Sequence, residues 1–342
     1  MISAGPGRYS DMNRKYQPKK VCGKLSASGE RNRKRLKMSK ITLTLLGTTA
    51  GVPTKQRAHS AVHLRYSDAE EFCCLFDCGE GTQRQILFAG LNMMKLDHIF
   101  ITHWHGDHCL GLPGVIDTMG FEGRQRPLTV HAPQAKKNVS KYRQLSVSMA
   151  KFRVLSQNVN PRGKKTQTIY ETDRFRVVSV PVKHSIPAVA YAFIEKEKTV
   201  IDIRKAMQLG LPEEGPVYKE LKEKKEVSIG GRRVLLEDVS HRQKGKKVVF
   251  SGDTELCDSL RQLVEGADLL VQDCTYFDDV GPDKPYMHAS LPEVVEMVRQ
   301  GGVGKTVLTH ISRKYQDQQR LEKLVEKYPE MIVAEDLMEV SV

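Results

Sequence analysis

Between Thr102 and Cys109 the chain reads His103-Trp104-His105-Gly106-Asp107-His108, three imidazoles and one carboxylate in six residues. Four such groups are costly to bury together unless ions neutralise them. Zn²⁺ accepts both imidazole nitrogen and carboxylate oxygen at about 2.0–2.2 Å. In a tight loop alternate side chains point the same way, so His103 and His105 can share one ion while Asp107 and His108 turn towards a second. Each ion needs more ligands. His184, Asp253 and His310 each follow an apolar run far downstream. His184 and His310 are candidates for one ion each, and Asp253 can bridge the pair through its two oxygens. Two ions about 3.5–4 Å apart would activate water near neutral pH, hold it in line and offset the charge that develops in phosphodiester hydrolysis. Something must then protonate the departing 3′-oxygen. His288, in Tyr286-Met287-His288-Ala289-Ser290, has a suitable ordinary pKa. Its position is equally that of a surface-loop histidine, and spacing does not decide between the two.

These residues need strands to position them. Apolar, β-rich runs over 41–46, 60–66, 72–76, 97–101, 128–131, 174–181, 189–194, 247–250, 267–272 and 305–308 are expected as strands. Helices are expected over 83–89, over 292–300 with Ser290 as cap, and over 318–327. Residues 136–153 mix helical and extended signals. An Asp or His recurs where an apolar run ends: Asp77, His103, Asp253, Asp273, His310. In layered α/β folds, ligand sites gather at strand ends. An Asp after a strand can also simply cap a turn, a reading that competes for Asp77 and Asp273 taken singly. Strands with interspersed helices indicate an α/β protein.

Residues 201–209 have a helical look, and Gly210, Pro212, Gly215 and Pro216 then interrupt the pattern. The highly charged run 217–226 follows, with too few apolar residues to belong to the main core. A projecting excursion over about 204–229 is expected.

The net charge is +13, and residues 1–40 alone hold twelve Lys or Arg against Asp11 and Glu30. Some +10 of the charge therefore sits in a segment with few apolar residues, expected as a disordered tail over 1–38 that weakly attracts RNA. The folded domain is expected over 39–342. Seven cysteines without a paired framework indicate free thiols in a reducing compartment; Cys73 and Cys74 fit core strand positions better than a metal site. No apolar segment reaches the length of a membrane span. The cytoplasm is the expected location, and the basic tail leaves nuclear or organellar placement open.

Several runs resemble the short form of the ribonuclease Z family, tRNA 3′-processing endonucleases. They are Gly47-Thr-Thr-Ala-Gly51-Val-Pro53, Phe76-Asp77-Cys-Gly79-Glu-Gly81-Thr-Gln-Arg-Gln85, Thr102-His-Trp-His-Gly-Asp-His108, Gly111-Leu-Pro113, Ser251-Gly-Asp253-Thr and Thr309-His310-Ile-Ser-Arg-Lys-Tyr315. The His-x-His-x-Asp-His element alone marks only the metallo-β-lactamase superfamily; the Asp77 and His310 segments are more specific. The resemblance implies an αββα sandwich, two mixed sheets flanked by helices. It implies two Zn²⁺ per subunit, with Mn²⁺ a substitute on the same N and O ligands. His103, His105 and His184 would hold the first, Asp107, His108 and His310 the second, with Asp253 bridging. His288, Asp107 and Asp253 would be catalytic, His288 as proton donor; Asp77 and Asp273 would support the site, Asp273 orienting His288 or a nearby histidine. The family's flexible tRNA-binding arm would correspond to Gly215, Pro216 and Tyr218 with Lys219, Lys222, Lys224 and Lys225. The Lys/Glu mixture there is less basic than ideal for phosphate contact. Precursor tRNA would be the partner, read by shape and backbone charge, and the enzyme would be a homodimer in which one subunit's arm serves the other's site.

The rival reading is a small-molecule phosphodiesterase or arylsulfatase on the same dinuclear scaffold, which would not need the excursion. A non-catalytic RNA-binding protein is a third reading, opposed by the completeness of the seven ligands. Two features depart from the family pattern: Trp104 stands between the first two histidines where a smaller aliphatic is at least as familiar, and the tail lies outside the core pattern.

Overall fold

A computed structural model of the chain describes residues 39–144, 151–163, 165–278, 280–281 and 286–342; the expected disordered tail lies outside them. The first sheet is built from β1 (Lys40–Gly47), β2 (Ala61–Ser67), β3 (Glu71–Phe76), β4 (Leu96–Phe100), β5 (Leu128–Pro133) and β6 (Val154–Val159). The second takes β7 (Gln167–Glu171), β8 (Phe175–Val182) and β9 (Ala188–Glu195). Four short strands intervene, β10 (Lys198–Ile201), β11 (Glu226–Ile229), β12 (Arg232–Leu235) and β13 (Ser240–Gln243). The second sheet then resumes with β14 (Lys247–Phe250), β15 (Leu269–Asp273), β16 (Lys305–Thr309) and β17 (Met331–Val333), while β18 (Met338–Ser341) returns beside β1. The orders are β18-β1-β2-β3-β4-β5-β6 and β17-β16-β15-β14-β9-β8-β7, seven strands each.

Alternation decides which face goes where. Ile41, Leu43 and Leu45 of β1 meet Val177, Tyr191, Val248 and Leu269 between the sheets. The outer face of the first sheet is covered by α1 (Thr82–Phe88), α3 (Leu112–Phe121) and α4 (Ala135–Arg143), whose Ile86, Val115 and Val139 pack with Leu75, Ile99 and Val130. That of the second is covered by α7 (Asp258–Val264), α8 (Leu291–Gly301) and α9 (Gln318–Val325), through Leu263, Val294 and Leu321. The result is the αββα sandwich that the resemblance implies. Ser290 caps α8 in a reciprocal capping box with Glu293, and Gly302 ends it in the left-handed region.

Strand direction concentrates the chemistry at one edge. β3, β4 and β5 run parallel, as do β14, β15 and β16, so their C-terminal ends lie together. β8 points the same way as β14, since both are antiparallel to β9. Asp77, His103, His184, Asp253, Asp273 and His310 all stand at or just beyond these ends.

Helix α3 and strands β6, β7, β17 and β18 lie outside the expected elements, and two expected stretches differ in extent. The helix expected over 201–209 shortens to α5 (Ile203–Gln208), because the β-branched Thr199-Val200-Ile201 pairs with β13 and Asp202 then caps the helix by accepting from Arg204 and Lys205 N–H. In the ambiguous stretch 136–153, α4 occupies the start. Between β10 and β13, the segment carrying α5 and α6 (Val217–Lys224) has its own apolar cluster of Ile201, Ala206, Leu211, Leu221, Val227, Val234, Leu236 and Val239. The compact unit around the charged run thus spans 198–243, wider than 204–229.

Candidate metal centre

The His-rich run does not stay extended. His105 caps the single-turn helix α2 (Gly106–Cys109), which swings Asp107 and His108 away from the direction of His103 and His105. Cys78 N–H donates to His108 O at 2.8 Å and Gly111 N–H to Cys78 O at 2.9 Å, lashing this turn to the strand end at Asp77. A Cβ on Gly79 would lie 2.2 Å from Asp107 O, so only glycine permits this approach.

The outer nitrogens of His103, His108, His184 and His310 are held by the protein. Asp77, itself at φ 59, accepts from His108 Nδ1 at 2.7 Å and from Thr102 N–H at 2.7 Å. Thr102 Oγ1 lies 3.0 Å from His103 Nδ1, Thr275 Oγ1 2.9 Å from His310 Nδ1, and Met287 O accepts from His184 Nδ1 at 3.2 Å. Fixing the outer nitrogen fixes tautomer and ring orientation, and leaves an inward lone pair.

The inward atoms converge. His105 Nδ1 is 3.0 Å from His103 Nε2 and 3.1 Å from His184 Nε2. His108 Nε2 and His310 Nε2 are 3.4 Å apart, with Asp107 Oδ2 3.5 Å from the former and 3.4 Å from the latter. Asp253 lies between the groups, Oδ1 at 3.1 Å from His108 Nε2 and Oδ2 at 3.6 Å from His103 Nε2 and 3.2 Å from His310 Nε2. His103, His105, His184 and Asp253 form one set of ligand atoms within 4.8 Å of each other, and Asp107, His108, Asp253 and His310 another. Lone pairs so close repel one another unless a cation or proton lies among them. The donor set, imidazole and carboxylate with backed imidazoles, therefore fits divalent metal ions. All seven expected ligands are brought together.

Burial and charge oppose each other here. Burial pushes the His103 imidazole well below its ordinary pKa and lowers His105 and His184 too. Burial works against charge on Asp253 as well, but His108, His310 and His103 outweigh it and hold the carboxyl well below the usual range. For His310, burial is outweighed by Asp253, Asp107 and Asp273, which push the pKa up to about 10. A cation would take the place of those protons.

His288 belongs to this cluster. Its Nδ1 lies 2.8 Å from Asp273 Oδ2, and its ring stacks on His310 with centroids 4.9 Å apart. Asp273 also accepts from Thr275 Oγ1 at 2.8 Å and Thr254 N–H at 3.0 Å; burial would raise its pKa, but His288 and His310 keep it below the ordinary carboxylate value. His310 itself sits at φ 56, where non-glycine residues are strained. Its neighbour Ile311 is held by Thr48 O and Ala50 N–H.

Sequence reasoning missed Thr102, Thr275, the Met287 carbonyl and the Gly51 N–H, which donates to Asp107 Oδ2 at 2.9 Å. Only Thr102, next to His103 at a strand end, offered any signal. Trp104 stacks on Tyr142 and donates to Pro133 O, away from the ligand atoms. In the 198–243 unit, Gly215 (φ 145) and Pro216 lead into α6, and Tyr218 Oη donates to Pro212 O at 2.5 Å. Lys219, Lys222, Lys224 and Lys225 are exposed.

A family model described as anti-Pycsar protein Apyc1 matches residues 41–208, and one described as beta-lactamase superfamily domain matches 236–311. Human tRNase Z, short form, is similar in structure with a TM-score of 0.63 at 24% identity, covering 87% of this chain and 98% of that one. The metallo-beta-lactamase fold protein YhfI of Bacillus subtilis gives 0.60 at 17%, covering 89% and 100%. The fold is that of the metallo-β-lactamases. In sequence, the chain is 40% identical over 304 residues to ribonuclease Z of Methanothermobacter thermautotrophicus, 88% of this chain and 96% of that protein. At that identity, over nearly the whole of its relative, the chain belongs to the ribonuclease Z family.

Proposed function

We propose that this protein is a metal-dependent endonuclease that hydrolyses the phosphodiester 3′ of the mature end of precursor tRNA, leaving a tRNA 3′-hydroxyl and a trailer with a 5′-phosphate. One observation carries the reading: a member of the ribonuclease Z family keeps the complete cluster of seven converging ligand groups. His103, His105 and His184 would hold one Zn²⁺, Asp107, His108 and His310 a second, with Asp253 between them; Mn²⁺ suits the same atoms. Bound ions would supply water activation and neutralise charge on the reacting phosphate. Asp77, Thr102 and Thr275 keep the imidazoles aimed. Asp273 accepts the His288 Nδ1 proton, so Nε2 is the atom that delivers a proton to the departing 3′-oxygen.

The unit over 198–243 is read as the arm that grips the tRNA, with Gly215 and Pro216 at its turn and Lys219, Lys222, Lys224 and Lys225 facing solvent. A homodimer is supported by Leu87 and Phe88 on α1 and Phe121 on α3, exposed by 64%, 59% and 72% on two helices that pack together. Among the described residues no helix is long and apolar enough to cross a membrane. The described cysteines are free, in keeping with a reducing, cytoplasmic setting.

The arm separates this reading from a small-molecule phosphodiesterase. Cutting out 211–227 alone would remove Leu211, Leu221 and Val227 from the unit's own core. Ile201 and Ser240 face each other across β10 and β13, so a short Gly/Ser turn joining them replaces 202–239 cleanly. That variant is expected to raise KM for precursor tRNA by roughly tenfold or more, a loss of about 1.4 kcal/mol of binding. Turnover of bis(p-nitrophenyl) phosphate is expected to stay within about twofold. Equal losses on both substrates would overturn the arm reading.

A further inference from the structure

We propose that Asp336 is a positioning residue for one half of the metal centre: it fixes the loop between β1 and β2, whose backbone holds Asp107 and His310 in place. The proposal rests on the reading of the seven groups as ligands of two ions.

Asp336 lies in the turn between β17 and β18. Its Oδ1 accepts from Thr48 Oγ1 at 2.7 Å, and its Oδ2 from Ala58 N–H at 2.6 Å and Gln85 Nε2 at 3.0 Å. Thr48 Oγ1 accepts in turn from Nη1 of the buried Arg57 at 2.6 Å, and the same nitrogen donates to Ala334 O at 2.6 Å. One carboxylate thus pins both ends of the loop, Thr48 where it leaves β1 and Ala58 where it approaches β2. Backbone bonds close the same neck, with Thr48 and Thr49 N–H donating to Ala58 O at 3.0 and 3.1 Å. Burial pushes the Asp336 carboxyl up to about 6, which leaves it ionised and accepting at neutral pH.

Beyond the neck, the loop meets the metal centre. Ala50 N–H donates to Ile311 O at 3.1 Å and Ile311 N–H to Thr48 O at 2.8 Å. This reciprocal pair holds the residue next to His310, whose backbone is left-handed at φ 56. Gly51, at φ 60, turns its N–H onto Asp107 Oδ2 at 2.9 Å. That oxygen faces His108 Nε2 and His310 Nε2 at 3.5 and 3.4 Å. His59 Nε2 donates to Gly51 O at 3.2 Å and braces the same residue. The loop therefore acts on two of the four groups of one ligand set. In the other set, the nitrogens of His103, His105 and His184 are engaged with Thr102, Met287 and one another. Metal affinity depends on ligands held in place before the ion arrives, and losing a partner that orients them costs about 10- to 100-fold. Loosening the neck should weaken one ion site and spare the other.

The test measures Zn²⁺ affinity, by competition with a chromophoric chelator, in two backgrounds. His105→Ala keeps the Asp107, His108, Asp253 and His310 set, and His310→Ala keeps the His103, His105, His184 and Asp253 set. Asp336→Asn preserves the side chain's shape and exchanges one acceptor oxygen for a donor. Adding it is expected to weaken Zn²⁺ binding at least roughly tenfold in the first background and by less than about threefold in the second. Thr48→Val removes the hydroxyl between Arg57 and Asp336 without changing charge. It is expected to repeat the asymmetry, and stands in where Asp336→Asn does not fold; Thr48→Ser should bind as the unaltered residue does. Equal weakening in both backgrounds would make Asp336 a general support of the fold and overturn the proposal, as would no weakening in either. Uptake of fewer than two ions by the unaltered chain would instead strike the two-ion reading beneath it.

Discussion

Replacing His105 by alanine is expected to lower cleavage of a 3′-extended precursor tRNA by roughly a thousandfold or more, because activation of water from a pKa of about 15.7 to about 7 needs a correctly held ion. His105 is the informative ligand to remove. Its side chain is only half-buried, whereas His103 is fully buried and its loss would leave a cavity. His105 Nδ1 also lies about equally close to His103 Nε2 and His184 Nε2, at 3.0 and 3.1 Å, so its removal opens one ion's shell and leaves the Asp107–His108–His310 group complete. Metal content should therefore fall from about two ions per chain towards about one. Binding of tRNA should be largely spared, since that depends on surfaces away from the ligand atoms. Undiminished cleavage in His105→Ala would remove the basis for the ligand assignment.

His288→Ala is expected to lower precursor cleavage by on the order of a hundred- to ten-thousandfold, the usual range for a lost general acid, with metal content unchanged. The loss should depend on the leaving group. An RNA 3′-oxygen needs a proton as it departs; p-nitrophenolate does not. Turnover of bis(p-nitrophenyl) phosphate by His288→Ala should accordingly stay within about tenfold of the unaltered enzyme. Asp273→Asn should behave less cleanly, because Asp273 holds both His288 Nδ1 and, through Thr275, the His310 ring. It should reduce metal content as well as turnover. Equal losses of His288→Ala on both substrates would assign His288 to holding the site in shape.

How much of this the chain disclosed in advance follows from what local pattern can encode. Long apolar runs such as those of β1, β8 and β9 are readable at sight, and His184 at the end of β8 came with its strand. β6 is half polar, with Ser, Gln and Asn consecutive in VLSQNV, and β18 is a four-residue edge strand paired with β1 almost 300 residues away; neither has a local signature. The wider unit over 198–243 escaped because its core is assembled from single apolar residues spaced among charges. The seven candidate ligands were visible because His and Asp clustered in sequence are costly without a purpose. Their backing was not: Thr275 reaches His310, and His288 reaches Asp273, only through the packing of α8 and β15 against β16. The left-handed backbone at His310 is likewise set by the hydrogen bonds of Thr48 and Ala50 to Ile311, partners from the far end of the chain.

The most direct measurement is incubation of the purified protein with a 3′-extended precursor tRNA, with and without a chelator, followed by mapping of the cut and its end groups to one nucleotide. The expected result is a single cut 3′ of the mature end, with a 3′-hydroxyl on the tRNA and a 5′-phosphate on the trailer, abolished by the chelator and restored by Zn²⁺ or Mn²⁺. A cut indifferent to the chelator, a 3′-phosphate or cyclic end on the tRNA, or an uncut precursor alongside rapid hydrolysis of small phosphodiesters would contradict it.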